Sequence, residues 1–421
     1  MNPSPVLATA PPEIIVYPAP APAPMAPRAR GEHRAGWVVL AALVLVVRKP
    51  DALINPQFWA EDFRPFFVEA HTVGPQVLAM PYNGYLHLLP RLIAWLAAPL
   101  RASIQPAAYV AAALGITLVV VAQALSPRVA LPGRPWLALA IVAVPHTGEV
   151  FLNLTNLQWI TALGLVLTLL KRDPADATEW GVDVAVLVVA GLTGPFSVLV
   201  LPLFLVRAWL RGTGASWTAA GIVALPAVVQ AWYLCHAPAL PHPGAWHAVD
   251  LLGVLAVRLP MTLVMGETWP VKIAYAGTTA LGVAIAMALV FLSVRRGPCR
   301  AARWWLLAAL AVLLLAGIKR GRPDTWAFYD TFNGDRYFYA PKVMVLWLVV
   351  VVIAELRARW QRAVGAGLLA LAFVANLPAF RIKPLPDLHW ASHSDRIQAG
   401  ERVEVPINPG WKVVYPGRPA K

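Results

Sequence analysis

Charged residues are scarce in this chain, and their scarcity indicates its class. Asp, Glu, Lys and Arg make up 13% of the 421 residues, 59% of the residues are hydrophobic, and the mean hydropathy is +0.62. Water-soluble domains carry about 25% charged and about 45–50% apolar residues. The composition therefore excludes an ordinary water-soluble protein.

Cysteine and the common motifs of soluble enzymes are also missing. Cys235 and Cys299 are the two cysteines, and neither has a CxxC partner or a His at zinc-site spacing. The sequence has no Walker loop, no Gly-rich dinucleotide fingerprint, no GxSxG and no HExxH. These absences argue against a zinc site and against nucleotide-driven chemistry in the cytoplasm.

Long apolar stretches recur from Gly36 to Phe380. A helix needs about 20 such residues to cross the hydrocarbon of a bilayer. Helices are expected rather than strands, because the open edges of a sheet cannot be satisfied in lipid. The sequence predicts an all-α polytopic membrane protein with about 11 transmembrane helices, and about 10 to 13 fit the pattern.

The basic residues cluster at the predicted helix ends. The net charge of +14 comes largely from such groups, namely Lys171-Arg172, Arg207 with Arg211, Arg295 to Arg303, and Arg357 to Arg362. Such clusters mark cytoplasmic loops and favour anionic lipid. We therefore expect membrane lipids as partners and no nucleic acid, with the N-terminus cytoplasmic and the C-terminus external. Arg48 and Lys49 follow the first helix on the outer side and locally violate the charge rule.

Three regions follow from this pattern. Residues 1–34, rich in Pro and Ala, predict a disordered cytoplasmic tail. Residues 35–380 predict the helical bundle, with external loops 49–85 and 319–340. Residues 381–421 predict a short external appendage of one or two edge strands.

Three local features leave the path of the chain open. Segments 86–100, 106–125 and 135–148 cannot all cross the membrane if Glu61 and Glu149 are both external. Either 86–100 is a juxtamembrane helix in the first external loop, or Glu149 is cytoplasmic. The break at 191–195 predicts two short helices that meet near the outer face, and 249–266 favours an interfacial helix because it contains a charge and a proline.

The adjacent acids Glu61 and Asp62 are the first candidate site. They follow Phe58-Trp59-Ala60 in the first external loop. A carboxylate can act as a general base or hold a divalent cation, so this pair is the candidate catalytic and metal-binding group. The alternative is a solvated pair of loop acids.

The segment from Pro81 to Arg91 is the second candidate. It contains Tyr85, and His87 and Arg91 share one helix face if the helix begins at Tyr85. Arg can clamp a phosphate with two parallel hydrogen bonds, and His can assist as a donor. Side chains that snorkel at a helix start are the alternative.

Two further clusters could bind a substrate. The loop 319–340 carries Arg320, Arg336 and Tyr337, which would suit a lipid phosphate if the loop is external, whereas an inverted topology would make it one more cytoplasmic basic loop. The segment 149–159 sets Asn156, Gln158 and Trp159 at a helix start. Amide and aromatic groups of this kind bind sugars, although capping by Thr155 or Asn156 also explains part of the pattern.

Together these motifs resemble the C-type (GT-C) glycosyltransferase superfamily. The resemblance is specific over residues 48–95, through Phe58-Trp59-Ala60-Glu61-Asp62 and Pro81 to Arg91, and looser at 149–159 and 335–339. More narrowly, these two segments look like those of a group of bacterial multipass proteins of that superfamily type. Many members carry Asp-Asp, Asp-Glu or a spaced pair of acids, whereas this chain has Glu-Asp.

The resemblance implies an enzyme of the bacterial inner membrane. A sugar would pass from a polyprenyl-phosphate donor to a glycan, lipid or protein acceptor on the outer face. Asp62 or Glu61 would serve as base or as ligand to Mg²⁺ or Mn²⁺, while Arg336, with Arg91 or His87, would hold the leaving phosphate. The rival hypothesis is a transporter or flippase for a lipid-linked envelope precursor, which the broken helix at 191–195 would suit.

Overall fold

The computed structural model describes residues 32–238, 246–266, 275–321 and 333–417. The predicted disordered tail lies outside the described residues up to position 31. Positions 32–34, which the sequence assigned to that tail, already belong to the first helix. Within the described residues the chain is mostly helical, as predicted for an all-α membrane protein.

In the part of the chain that the structure describes, helices are followed by a hairpin near the C-terminus. The helices are α1 Glu32–Arg48, α2 Asp51–Ile54, α3 Val68–Thr72, α4 Leu88–Ala97, α5 Gln105–Ala124, α6 Arg134–Ala143, α7 Leu157–Leu170, α8 Ala177–Gly191, α9 Phe196–Arg211, α10 Gly214–His236, α11 Ala248–Ala256, α12 Thr262–Met265, α13 Tyr275–Val294, α14 Arg300–Arg320, α15 Arg336–Glu355, α16 Arg359–Asn376 and α17 Trp390–Gln398. Strands β1 Val403–Ile407 and β2 Trp411–Tyr415 pair antiparallel, as the alternating tail predicted.

Among the described residues, seven helical segments are long and apolar enough to cross a membrane. They are Ala102–Ala124, Gly214–His236, Ala248–Met265, Tyr275–Val294, Arg300–Arg320, Arg336–Glu355 and Arg359–Ala379. Three apolar helices, α4, α6 and α7, are shorter. α7 lies at the centre of the core, since all its residues except Trp159 are buried. These features agree with a membrane protein, while the count of eleven crossings stays a prediction.

Two ends of the bundle can be told apart. At one, the basic end, Val129 pairs with Lys171, and the Lys171 ammonium lies 2.9 Å from the Asp183 carboxylate. Arg128 contacts the same carboxylate at 2.5 Å. At the other, the loop end, Trp59 and Phe67 of the first loop contact Asn408 and Tyr415 of the C-terminal hairpin. The Arg207 guanidinium donates to the Lys171 carbonyl at 2.8 Å, so the predicted basic helix ends at 171–172 and 207–211 lie together.

The segment 86–100 remains at the loop end. α4 has ten residues and is thus about 15 Å long, the same length as α6, so its length does not decide its placement. It begins where Leu88 donates to the Leu192 carbonyl, and it is followed by Ala102, which accepts a hydrogen bond from the Trp390 indole of the tail. Both ends of α4 therefore lie at the loop end, while its placement relative to the membrane stays a prediction.

The segment around Arg258 differs from a simple interfacial helix. α11 and α12 are joined through a π-helical turn that contains Pro260, and together they are long and apolar enough to span. Yet Arg258 donates to the carbonyl of Asn333, just before α15, and Leu263 accepts from Asn376 at the end of α16. Its placement along or across the membrane stays a prediction.

The predicted break between two helices is confirmed, and it has a structural partner. α8 ends at Gly191 and α9 begins at Phe196. The freed backbone groups bind the segment before α4, because Gly194 donates to the Leu86 carbonyl at 2.9 Å and Leu88 donates to Leu192 at 3.1 Å. Backbone groups without an intrahelical partner must be satisfied elsewhere. Here they hold the segment that carries His87.

Arg48 and Lys49 are not exposed outer-loop cations. The Arg48 guanidinium is buried and donates to the carbonyls of Val142 and His146 at 2.7 and 2.9 Å. Lys49 donates to the Phe151 carbonyl at 2.9 Å. Their apparent violation of the charge rule has a physical reason, since the two cations bind carbonyls in the last turn of α6 and in the irregular segment after it.

Candidate functional site

The first loop is held in place by aromatic packing and by the tail. Phe58, Phe63 and Phe67 surround one another at centroid distances of 5.0–5.6 Å, and Trp390 of α17 joins them. The Ala60 amide donates to the carbonyl of Asn408 at 2.6 Å. The turn that carries both acids is therefore fixed by the aromatic residues of its own loop and by the C-terminal tail.

The two adjacent acids point to different places. Asp62 is buried, and one carboxylate oxygen accepts hydrogen bonds from the Thr155 amide at 2.8 Å and the Thr155 hydroxyl at 2.7 Å. Glu61 is half-buried and lines a cavity, as described below. Burial raises the pKa of Asp62 to about 6, although the hydrogen bonds from Thr155 oppose that shift.

The second candidate segment places its residues separately. Tyr82 and Tyr85 close a turn through two backbone hydrogen bonds. Burial raises the pKa of Tyr85 to about 12, so its hydroxyl remains protonated at neutral pH. His87 is buried among the rings of Tyr82, Tyr85 and Phe66, at centroid distances of 4.6–5.8 Å.

Arg91 departs from the expected phosphate-binding role. Its guanidinium is buried, donates to the Glu69 carboxylate at 2.8 Å and lies over the Phe66 ring. It does not line the cavity that contains Glu61. The Arg91 charge, which the sequence assigned to a substrate phosphate, is instead paired with the Glu69 carboxylate.

The segment before α7 is a compact loop. Asn153 and Asn156 both donate to the Glu149 carbonyl, at 2.7 and 2.8 Å. Neither Thr155 nor Asn156 caps α7 with its side chain, because Thr155 binds Asp62 instead and the Asn156 side chain makes no cap hydrogen bond. The capping explanation is therefore wrong. Gln158 and Trp159, at the start of α7, line the cavity described below.

Arg336 and Asp335 have different partners. Arg336 forms an ion pair with Glu149, whose side chain is 8% exposed while that of Arg336 is 40% exposed. Asp335 is fully buried and contacts Lys342 at 2.9 Å, His146 at 3.2 Å and the Thr147 amide at 2.9 Å. Asp335 thus fastens the segment after α6 to α15 and does not orient the Arg336 side chain.

These segments meet at one cavity of about 540 Å³ at the loop end. Nine of the eleven predicted site residues line it, and they are Glu61, Tyr85, His87, Asn156, Gln158, Trp159, Arg320, Arg336 and Tyr337. The remaining two, Asp62 and Arg91, are buried behind its wall. Sequence positions as far apart as 61 and 337 thus form a single site.

The cavity has a polar and an apolar side. The polar side carries the residues above, with Tyr337 and Trp159 in edge-to-face contact at 5.1 Å. The apolar side comes from Leu199 of α9, Leu234 of α10, and Leu313 and Ala316 of α14. An amphipathic ligand would match this division.

Sequence reasoning missed part of the lining. Pro409 and Trp411 of the C-terminal hairpin line the cavity, and so does Glu149, the ion-pair partner of Arg336. The ion pair between Glu149 and Arg336 leaves no local pattern in the sequence, because the two residues are far apart along the chain. For the hairpin, its Pro-Gly-Trp turn was visible, but its contact with the first loop was not.

A divalent cation finds no converging ligand set among the described residues, where no group of three or more His, Cys, Asp or Glu side chains could hold a metal ion. Glu61 faces the cavity and Asp62 faces Thr155, so the acid pair does not form a two-carboxylate site. The predicted metal site therefore does not fit these two side chains.

Comparisons with known proteins add no relative. No protein-family model, no curated protein and no solved structure matches this chain. The function must therefore be inferred from the geometry of the site.

Proposed function

We propose that the chain is an integral-membrane glycosyltransferase that uses a polyprenyl-phosphate-linked sugar. The cavity at the loop end carries this proposal, because it combines a carboxylate, Glu61, with two cations, Arg320 and Arg336, and an apolar wall. A ligand with an anionic head, a polar sugar and a long apolar chain would match all three. The acceptor would be a component of the cell envelope.

The apolar wall supports a lipid-linked donor. It is built from α9, α10 and α14, and two of these helices are long and apolar enough to cross a membrane. A hydrocarbon chain could lie against Leu234 and Leu313 while its phosphate meets the Arg320 guanidinium at the end of α14. Arg320 is exposed and has no ion-pair partner among the residues that the structure describes.

The proposed chemistry uses Glu61 as the general base. Its carboxylate would take the proton of an acceptor hydroxyl, whose oxygen then forms a bond to the anomeric carbon. The bond between that carbon and the phosphate oxygen breaks, and the polyprenyl phosphate leaves as an anion. Arg320 and Arg336 would stabilise the charge that develops on the phosphate. No step is assigned to a metal ion.

Asp62 takes a positioning role in this scheme. Its two hydrogen bonds with Thr155 fix the turn from Ala60 to Asp62 against the start of α7. The Glu61 carboxylate is thereby directed into the cavity. Of the two acids that the sequence proposed as base, Glu61 is the one that a substrate could reach.

We further propose that the loop end faces the periplasm of a bacterial inner membrane. The basic clusters from Lys171 to Arg211 lie at the opposite end, as expected for cytoplasmic loops. α1, α5 to α10 and α13 to α16 would then supply eleven crossings, with α4 and the segment 248–265 at the outer surface. The cations at the loop end would be retained because they bind an anionic substrate or buried carbonyls.

A transporter or flippase is the second candidate, and the broken helix favours it. Pro195 and Phe196 at the break line the same cavity. However, the backbone groups freed at Gly194 and Leu192 are bound by the segment before α4, so they are not directed at a transported ion. This arrangement fits a rigid site better than a moving gate.

Transfer and transport can be separated with purified protein in proteoliposomes. Radiolabelled polyprenyl-phosphate sugars are supplied with envelope fractions as acceptor, and a fluorescent lipid-linked sugar reports movement between leaflets. We expect transfer by the wild type, by Asp62→Asn and by the exposed-acid control Glu404→Gln, and a loss of about a hundredfold or more in Glu61→Gln. Lipid movement without any Glu61-dependent transfer would overturn the proposal in favour of transport.

A further inference from the structure

Three polar side chains around the cavity have atoms without a hydrogen bond. Neither ring nitrogen of His87 makes a hydrogen bond of standard geometry, although the Tyr82 backbone lies close to the ring. The Gln158 carbonyl oxygen and the Trp159 indole nitrogen are also buried and make no hydrogen bond, although the Gln158 side chain lies close to the Tyr85 hydroxyl. Buried polar groups are bonded in about 90% of cases or more, so three exceptions at one cavity call for an explanation.

The break between α8 and α9 positions His87 and Gln158. His87 pairs through its backbone with Thr193 in the break between α8 and α9. Gly194 follows with a φ of +110°, and a Cβ at that position would lie 2.8 Å from the Gln158 carbonyl oxygen. The absence of a side chain at Gly194 thus makes room for Gln158.

The polar residues that line the cavity include charged and uncharged side chains. Burial, with the nearby Arg91 charge, lowers the pKa of His87 to about 3, so the ring is neutral at physiological pH. Gln158 and Trp159 carry no charge. Arg320 and Arg336 supply the positive charge of the site, and an anion is attracted to them rather than to the neutral group.

We propose that His87, Gln158 and Trp159 form an uncharged subsite for the hydroxyl groups of the sugar, separate from the arginines that bind phosphate. The imidazole and the amide oxygen can accept hydrogen bonds, and the indole can donate one. The aromatic faces of Tyr85 and Trp159 add apolar surface for the carbon side of a pyranose ring. This inference rests on the proposed function and assigns His87 to the sugar rather than to the lipid phosphate.

The test uses two probes that carry one chemical feature each. Hexyl glycosides of glucose, galactose, mannose and N-acetylglucosamine present hydroxyl groups, and hexyl phosphate presents the anion. Binding to the protein in nanodiscs is measured by isothermal titration calorimetry. We expect His87→Phe and Gln158→Met to weaken the best hexyl glycoside by about tenfold or more and to leave hexyl phosphate unchanged. Arg320→Ala should show the reverse.

Thermal stability separates a binding role from a structural one. His87→Phe replaces two unbonded nitrogens with an apolar ring of similar shape, so the melting temperature without ligand should stay the same or rise. Tyr109→Phe is the matched control, because the buried Tyr109 hydroxyl also lacks a hydrogen bond but does not line the cavity. This control should bind both probes like the wild type.

The outcomes distinguish the subsite from the proposed function. The subsite is overturned if no hexyl glycoside binds the wild type, if His87→Phe weakens both probes equally, or if that variant melts markedly lower. If the glycoside and phosphate effects separate as expected but Glu61-dependent transfer is not found, the subsite stands and the enzyme proposal fails.

Discussion

The Asp62 carboxylate accepts two hydrogen bonds from Thr155, one from the backbone amide at 2.8 Å and one from the hydroxyl at 2.7 Å. These bonds join the first loop to the segment before α7, 93 positions along the chain. They also explain why two neighbouring acids differ, since one is turned into the protein and the other faces the cavity.

Asp62 should make the protein less stable as the pH rises. Its folded-state pKa is about 6 against an ordinary value of 3.8, mainly because of burial, so the folded state binds the proton more tightly than the unfolded state. The free energy of unfolding should therefore fall between about pH 4 and pH 6, by at most about 3 kcal/mol. Asp62→Asn should remove this dependence and melt at the same or a higher temperature at pH 8.

Melting curves of the purified protein between pH 4 and pH 8 check this expectation. Asp62→Ala serves as the control, because it removes the acceptor for Thr155 and should melt lower at every pH. A lower melting temperature for Asp62→Asn than for the wild type at pH 8 would show that the charged carboxylate is stabilising.

Arg336 should contribute both to phosphate binding and, through its ion pair with Glu149, to stability. Arg336→Ala should weaken hexyl phosphate or a lipid-phosphate donor by about ten- to a hundredfold, and Arg336→Lys less, since an ammonium cannot offer two parallel donors to a phosphate. The Ala variant also leaves the buried Glu149 carboxylate unpaired, which should lower the melting temperature.

A double variant separates these two effects. Arg336→Ala combined with Glu149→Gln removes both charges, so stability should recover while phosphate binding does not. Titration calorimetry and melting curves on the same preparations provide the measurement. Unchanged donor affinity in Arg336→Ala would place the phosphate at Arg320 alone.

Gly194→Ala should disturb the site through backbone strain and a direct clash. The residue has a φ of +110°, and the new Cβ would lie 2.8 Å from the Gln158 carbonyl oxygen and 3.0 Å from its Cβ. We expect a loss of about 1–3 kcal/mol in the free energy of unfolding. Gly181→Ala is the matched control within α8, where no atom lies within 4 Å of the added Cβ. That variant should be neutral or slightly stabilising, and equal effects at both positions would contradict the strain argument.

The sequence predicted the helices and the hairpin because their signals are local. Apolar runs, the Gly-Pro break at 191–195 and the alternating tail each depend on neighbouring residues. α14 and α15 extend into the predicted external loop 319–340, so Arg320 and Arg336 belong to helices and not to a loop. Most candidate site residues also converge, because polar groups at the ends of apolar helices gather at the surface where those helices end.

Partner choice could not be predicted in the same way. Adjacent acids in an irregular turn give no indication of which one faces inward, and that depends on Thr155 far along the chain. Arg91 was assigned to phosphate because its pairing with Glu69 depends on how the first loop folds. Likewise, the burial of Arg48 depends on carbonyls in and just after the last turn of α6.

Because Ala60 contacts Asn408, the site depends on a part of the chain that is synthesised late. The first loop is made early, but its cavity wall lacks Pro409 and Trp411 until the last helix has left the ribosome and the hairpin has folded. A chain that stops after α16 would hold most of the chemistry of the site without its closing wall. The cavity is therefore completed only when Val403–Tyr415 has been synthesised and has folded against the first loop.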